Sequence, residues 1–250
     1  MSSSRRIVFG TLALGGLAAL VTAAAGQNPN NPKGIDVSNI GQGNISLASW
    51  QQIKNSGISF AVCKATEGTT FKDPSFDANW ANMKAVGIVR GAYHFARPGT
   101  SPSIATNAVN QANFFVKTVL PKQGDLQMAL DLEATGGLTQ AQLWTWVQAF
   151  CGQVQSLTHR PGLIYCSPSF WSSNLPGNAT NLNCGLWIAN WGVSSPTIPA
   201  PWASTGYAFW QYADNGTVPG ISGAVDLDTF NGSMTTLLKF TFPREPLQRK

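Results

Sequence analysis

The sequence predicts an α/β fold, a single (β/α)-type barrel that turns strand-rich in its last part. Three observations predict it. Short apolar runs recur along the chain, and the early ones are separated by amphipathic stretches of helical length, the pattern of parallel strands joined by helical crossovers. After Gly162 the connections become rich in Pro, Ser, Asn and Gly and lose helical periodicity. The 250 residues carry no internal repeat and suit one large domain, a size at which α/β barrels commonly remain undivided.

Taken in order, residues 1–25 read as an export signal. Arg5 and Arg6 are followed by an apolar run from Ile7 to about Val21, and Ala23, Ala24 and Ala25 satisfy the small-residue cleavage pattern. The run is short and rich in Gly and Ala, which disfavours a retained anchor, while the arginine pair leaves both general and twin-arginine export open. Residues 26–33, containing QNPNNPK, read as a linker, residues 34–242 as the barrel, and residues 243–250 as a tail. Within the barrel, strands are expected at Gly34–Val37, Phe60–Lys64, Val89–Phe95, Gln127–Leu132, Gly162–Cys166, Leu186–Ala189, Tyr207–Tyr212 and Ala224–Asp228. Helices are expected at Leu47–Asn55, Pro74–Val86, Ser103–Val119 and Gln140–Leu157.

Composition narrows the function. Charged residues make up 11% of the chain, against roughly 25% in an average soluble domain, and there are 9 Trp. Such a surface suits exported proteins and carbohydrate binders. Loss of the leader removes two arginines and no acid, leaving 14 basic residues against 11 acidic ones. That mild excess fits an anionic wall polysaccharide and is far too small for a nucleic-acid partner. The mature chain is expected to be secreted, extracellular or periplasmic, monomeric and without membrane contact. Cys63, Cys151, Cys166 and Cys184 contain no C-x-x-C pair, so a zinc site is not expected. An oxidising compartment would permit one or two disulfides, with the pairing open; Cys63 and Cys166 read equally well as buried thiols.

The chemistry is carried by the placement of acids. Asp36, Asp131, Glu133, Asp226 and Asp228 lie at or beside the ends of apolar runs. In a barrel the strand ends converge on one face, where active sites of this architecture sit. A buried acid is costly unless solvated or paired, and isolated ion pairs or caps explain one such residue better than three separate strands of them. Asp131-Leu132-Glu133 places two carboxyls on the same side of a strand, about 6–7 Å apart along the backbone. Crowding raises the pKa of one, which can then protonate a departing glycosidic oxygen while ionised neighbours stabilise positive charge at the anomeric carbon. Tyr93, Phe95, Trp187, Trp191, Trp210 and Tyr212 cluster near the acids and are the candidates for packing against sugar faces. His94 reads as a core or supporting residue.

In order along the chain stand Gly34-Ile-Asp-Val-Ser38, Lys64-Ala-Thr-Glu-Gly68 with Phe71 and Asp73, Gly91-Ala-Tyr-His-Phe95, Asp131-Leu-Glu133, Leu186-Trp-Ile-Ala189, Phe209-Trp-Gln-Tyr212 and Val225-Asp-Leu-Asp228 with Phe230. In these blocks the chain resembles glycoside hydrolase family 25, the Chalaropsis-type lysozymes, over roughly Lys33 to Phe242. The resemblance implies a flattened, TIM-barrel-like fold and cleavage of the β-1,4 bond between N-acetylmuramic acid and N-acetylglucosamine in peptidoglycan. It implies Glu133 as general acid, with Asp131, Asp36 and Asp226 as the other carboxylates of the cleft, and neither metal nor cofactor. It leaves open whether the substrate's N-acetyl group or water attacks the anomeric carbon. One block departs from the family pattern: Ser38-Asn39-Ile40-Gly41-Gln42-Gly43 is one residue longer and lacks the usual ring, on a loop bordering the cleft. Thr66-Glu67-Gly68 reads as a strand-end turn. Two alternatives compete: a non-catalytic wall-binding protein on a hydrolase barrel, and a metal-dependent deacetylase or phosphodiesterase using Asp36, Asp131, Asp228 and His94. With only His94 and His159 in the chain, the second is poor in ligands.

Overall fold

A computed structural model describes residues 28–179 and 183–243. The expected leader (1–25), the start of the linker and residues 244–250 of the tail lie outside them. The described chain begins with β1 (Lys33–Val37), α1 (Leu47–Asn55), β2 (Ile58–Glu67), the short β3 (Phe71–Lys72), α2 (Phe76–Ala85), β4 (Val89–Phe95) and α3 (Ile104–Val119). It continues with β5 (Ala129–Asp131), α4 (Gln140–Thr158), β6 (Leu163–Cys166), α5 (Pro168–Asn174), β7 (Gly185–Ala189), β8 (Phe209–Gly216), β9 (Val225–Phe230) and α6 (Met234–Lys239).

The strands run β1-β9-β8-β7-β6-β5-β4-β2, and the pairing of β1 with β2 closes them into an eight-stranded barrel; β3 is a short flap on β2. The α/β barrel class is therefore as the sequence predicts. From β1 through β8 the barrel neighbours pair parallel, whereas β9 is antiparallel to both β8 and β1. This corrects one step of the sequence argument. Asp226 reaches the mouth, with Asp228 buried further along the strand, because β9 begins there after the β8–β9 turn, not because it ends there. Such a reversal needs only a turn, and the short segment between β8 and β9, TVPGISGA, carries Pro219, Gly220, Ser222 and Gly223.

Alternation along each strand sorts side chains into two layers. Phe60, Val62, Ala129, Leu163, Tyr165, Trp187, Ala189, Phe209 and Phe230 fill the barrel interior, while Ile35, Ala61, Cys63, Ala92, Leu130, Ile164, Ile188, Trp210 and Leu227 pack outward under the helices. The helices begin where the sequence supplies caps: Ser46, Ser103, Ser167 and Ser233 each accept a backbone N–H, and Thr139 forms a reciprocal capping box with Gln142. Helix α5 was not expected from periodicity, since seven residues span barely two turns. Its signal was chemical, a Ser167 cap followed by Pro168 at the first helical position. Among the described residues no helix is long and apolar enough to cross a membrane.

All four cysteines are free thiols, three of them buried. Cys63 and Cys166 sit in the outer core layer, as the buried-thiol reading expects, and burial pushes both thiols up. Beneath the interior, Gly34 faces Phe60 across the β1–β2 pairing, and a methyl group at Gly34 would fall onto the Phe60 ring. Gly34→Ala is expected to cost about 1–3 kcal/mol, as overpacking of a filled core does. A urea melt checks it: an unchanged midpoint would mean that Phe60 has room to move.

Candidate active site

At the mouth of the barrel, Asp36 near the end of β1, Asp131 at the end of β5, Glu133 two residues beyond it and Asp226 at the start of β9 line one cavity of about 320 Å³. Asp36 pairs in register with Asp226 across the antiparallel β1–β9 edge. The D-x-E geometry expected of a strand holds here, since Asp131 and Glu133 both line this cavity while Leu132 between them is buried in the outer layer. A second cavity of about 510 Å³, lined by Ser167, Ser169, Asn190 and Thr197 among others, shares Glu133, Tyr165 and Trp191 with the first. Glu133 thus stands at the junction of two adjoining recesses.

Of the six aromatics singled out in the sequence, Tyr93, Phe95, Trp187 and Trp191 line the acid-bearing cavity. Trp210 and Tyr212 do not reach it. They are 1% and 5% exposed and belong to the layer under the helices, so their candidacy is corrected. The cause is the strand period: the residue between them, Gln211, points inward and takes the cavity position. Trp187 is buried and donates its indole N–H to Asp228 Oδ1 at 2.8 Å, so it is a wall and a prop more than an open platform. Trp191, 48% exposed, offers an accessible ring.

Ser38 and Ile40, on the loop expected to border the cleft, line the cavity, and with them stand four residues not singled out as site candidates: Lys64, Tyr165, Gln211 and Asp214. Tyr165 and Gln211 carried a signal in register, since each occupies the inward phase of its strand near the height of Asp131. Asp228, noted as a strand-end acid, lies fully buried behind Asp226. His94 faces away from the cavity into the core, between Thr66 Oγ1 at 2.8 Å and Gln111 Oε1 at 2.9 Å, and stacks on Phe150. Burial lowers its pKa to about 4, so it is a neutral core group. A metal centre combining it with Asp36, Asp131 and Asp228 has no geometric basis.

Electrostatics divides the acids. Burial raises Asp36, and Asp228 and Asp226 raise it further, against a hydrogen bond from Gln211 that favours its charged form. Burial and then Glu133 raise Asp131, while Lys64 opposes them. Glu133, open along its groove side, is raised by partial burial, with Tyr165 and Lys64 pulling the other way. Asp226 rises to about 6 through burial, and Asp228 to about 8 through burial opposed by the Trp187 hydrogen bond. Lys64 is the cation of this wall. It pairs with Glu67 at 2.6 Å and lies 4.8 Å over the Phe95 ring, whose other cationic neighbour is Arg97. Glu67 also binds Arg97, and although burial alone would raise its pKa, the two cations hold it below the usual value. The turn at Thr66-Glu67-Gly68 therefore braces Lys64. Burial shifts Asp36, Asp131, Glu133 and Asp226 toward the protonated form, so the set favours keeping a proton for donation, which acid-assisted cleavage of an acetal requires.

The profile of Glycosyl hydrolases family 25 matches residues 35–221. The chain is 39% identical over 216 residues to Lysozyme M1 of Streptomyces globisporus, covering 82% of this chain and 70% of that protein. It is 33% identical over 212 residues to the N,O-diacetylmuramidase of Chalaropsis sp, covering 78% of this chain and 95% of that protein. Among solved structures, the bacterial lysozyme from Streptomyces coelicolor superposes with a TM-score of 0.75 at 36% identity, covering 86% of this chain and 98% of that one.

Proposed function

Because the chain belongs to glycosyl hydrolase family 25 and is a glycoside hydrolase, we propose that it is an exported muramidase that cuts the β-1,4 bond between N-acetylmuramic acid and N-acetylglucosamine in peptidoglycan. The observation that carries the proposal is the convergence of Asp36, Asp131, Glu133 and Asp226, from three distant stretches of chain, on one cavity beside an exposed Trp191. The relatives with lysozyme and diacetylmuramidase names support the choice of bond.

In this reading one glycan strand runs through both recesses, with the scissile oxygen beside Glu133. Glu133 gives its proton to that oxygen as the bond to the anomeric carbon breaks. The members of the set Asp131, Asp36 and Asp226 that are ionised when the glycan is bound stabilise the positive charge that develops there. Water supplies the hydroxyl that ends on the anomeric carbon, and its remaining proton restores the carboxyl set. Trp191, Phe95 and Tyr93 would pack on sugar faces, and Lys64 would meet the substrate's own acid groups. The domain carrying this activity is taken as residues 34–242, preceded by the 1–25 leader.

Mass spectrometry of a peptidoglycan digest tests the bond. New reducing ends on muramic acid are expected; reducing ends on glucosamine, or released peptides alone, would overturn the assignment. Export has its own check: the protein recovered from culture fluid should begin at or near Gly26.

A further inference from the structure

Gln211 is 2% exposed and projects from β8 into the floor of the acid cavity. Both ends of its amide are bonded. Nε2 donates to Asp36 Oδ2 at 2.7 Å, and Oε1 accepts from the Tyr165 hydroxyl at 3.0 Å and from the Trp191 indole at 2.9 Å. An indole N–H can only donate, whereas a tyrosine hydroxyl can donate or accept. Trp191 therefore dictates which end of the amide faces it: oxygen toward the indole, N–H toward Asp36. A flipped amide would set N–H against N–H at one end and carbonyl oxygen against carboxylate at the other, both buried and both repulsive.

We propose that Gln211 is a positioning residue that couples the exposed ring of Trp191 to the Asp36 carboxylate, so that a glycan seated on Trp191 holds Asp36 ionised and aimed at the anomeric carbon. This rests on the reading that Asp36 serves the glycosidic reaction. Three facts converge on it. Trp191 is the solvent-facing end of the chain of bonds and stands where the two recesses meet. Asp36 is its buried end, surrounded by Asp226, Asp228 and Asp131, against whose repulsion an amide donor counts heavily. Tyr165, held by the same amide oxygen, bears also on Glu133, so the amide sits between both halves of the carboxyl set.

A double-mutant cycle on the full-length enzyme decides the matter. Gln211→Leu is expected to lower kcat about 10- to 30-fold with KM within about twofold, the loss of a bond to a charged group that matters more in the transition state than in substrate binding. Trp191→Phe keeps a ring for the sugar and removes only the N–H; kcat should fall about 3- to 10-fold. The pair of substitutions together should be no slower than Gln211→Leu alone, because the indole acts through the amide. Gln211→Leu removes the donor to Asp36 and Trp191→Phe frees the amide to turn away from it, so in both variants the pKa of Asp36 rises and the acid limb of the kcat profile moves to higher pH, with Asp226, Asp228, Asp131, Lys64 and Tyr93 unchanged around it. Effects that multiply in the double variant would overturn the coupling. So would a wild-type kcat and acid limb in Trp191→Phe, which decides alone if Gln211→Leu does not fold. An active Glu133→Gln enzyme would instead remove the reading underneath, so the two failures are told apart.

Discussion

Glu133→Gln is expected to lower the rate of wall lysis by about 10³-fold while leaving the barrel folded, the middle of the range seen when a positioned acid is removed. The amide keeps the shape and a hydrogen-bonding capacity but has no proton to give to a leaving oxygen. Because Glu133 sits on the exposed rim, stability should change by no more than about 0.5 kcal/mol, so thermal melts of the two proteins should overlay. The substitution also removes the neighbour that, after burial, does most to raise Asp131, so Asp131 should ionise more readily in the variant. The pH dependence follows from the direction of the Glu133 shift. A general acid works only while protonated; a pKa raised by partial burial extends activity upward in pH, and activity falls as pH rises through that value. Turbidity clearing of bacterial walls across pH checks both parts. Equal clearing by the two proteins would remove Glu133 from the role of acid, and an unchanged alkaline limb in the variant's residual activity would assign that limb to another group.

The sequence is most legible where one physical rule acts alone. The early strands and helices stand within a few residues of their expected places, because apolar periodicity decides them; Leu47–Asn55 and Val89–Phe95 match at both ends. Asp36, Asp131, Glu133 and Asp226, which line the cavity, stand out in the sequence because a carboxyl next to a buried run is costly enough to need a reason, and the same rule also flags Asp228, which is buried outside the cavity. What was misread depended on phase or on tertiary partners. Trp210 and Tyr212 read as a sugar platform on aromatic content alone, but the phase of β8 that puts Phe209 in the interior puts Gln211 at the mouth and both of these rings outside. Gln211 itself carries no signal until Asp36, Tyr165 and Trp191 surround it. The direction of β9 was hidden for a similar reason: strand composition reads the same both ways, and only the short, turn-rich link after β8 argues for reversal.

Asp228→Asn is expected to stabilise the protein, and increasingly so as pH rises. Asp228 is fully buried, takes the Trp187 indole N–H on Oδ1, and has an Oδ2 without a donor. Its carboxyl also lies against that of Asp36, a contact that becomes a hydrogen bond only when a proton is held between them. Burial accordingly raises its pKa to about 8. In the unfolded chain the same group titrates near about 3.9. Below that value both states hold the proton and nothing is lost. Above it the unfolded chain releases the proton while the folded protein keeps it, so the folded state loses about 1.4 kcal/mol for each pH unit, until the native group ionises in turn. Stability contributed by this position therefore falls between about pH 4 and the native pKa of about 8, and Asp226, raised to about 6, adds a smaller loss of the same sign. Asparagine keeps the oxygen that accepts from Trp187 and offers a permanent N–H where the acid proton stood, without the titration. The difference in stability between variant and wild type should be near zero at pH 4 and about 2–4 kcal/mol at pH 7, on the order of 5–10 °C in Tm for a domain of this size. Melts at unit intervals from pH 4 to 8 measure it directly. A difference that stays flat with pH, or a variant less stable than wild type at pH 8, would mean that Asp228 is ionised in the native enzyme and that the carboxyl cluster shares no proton there.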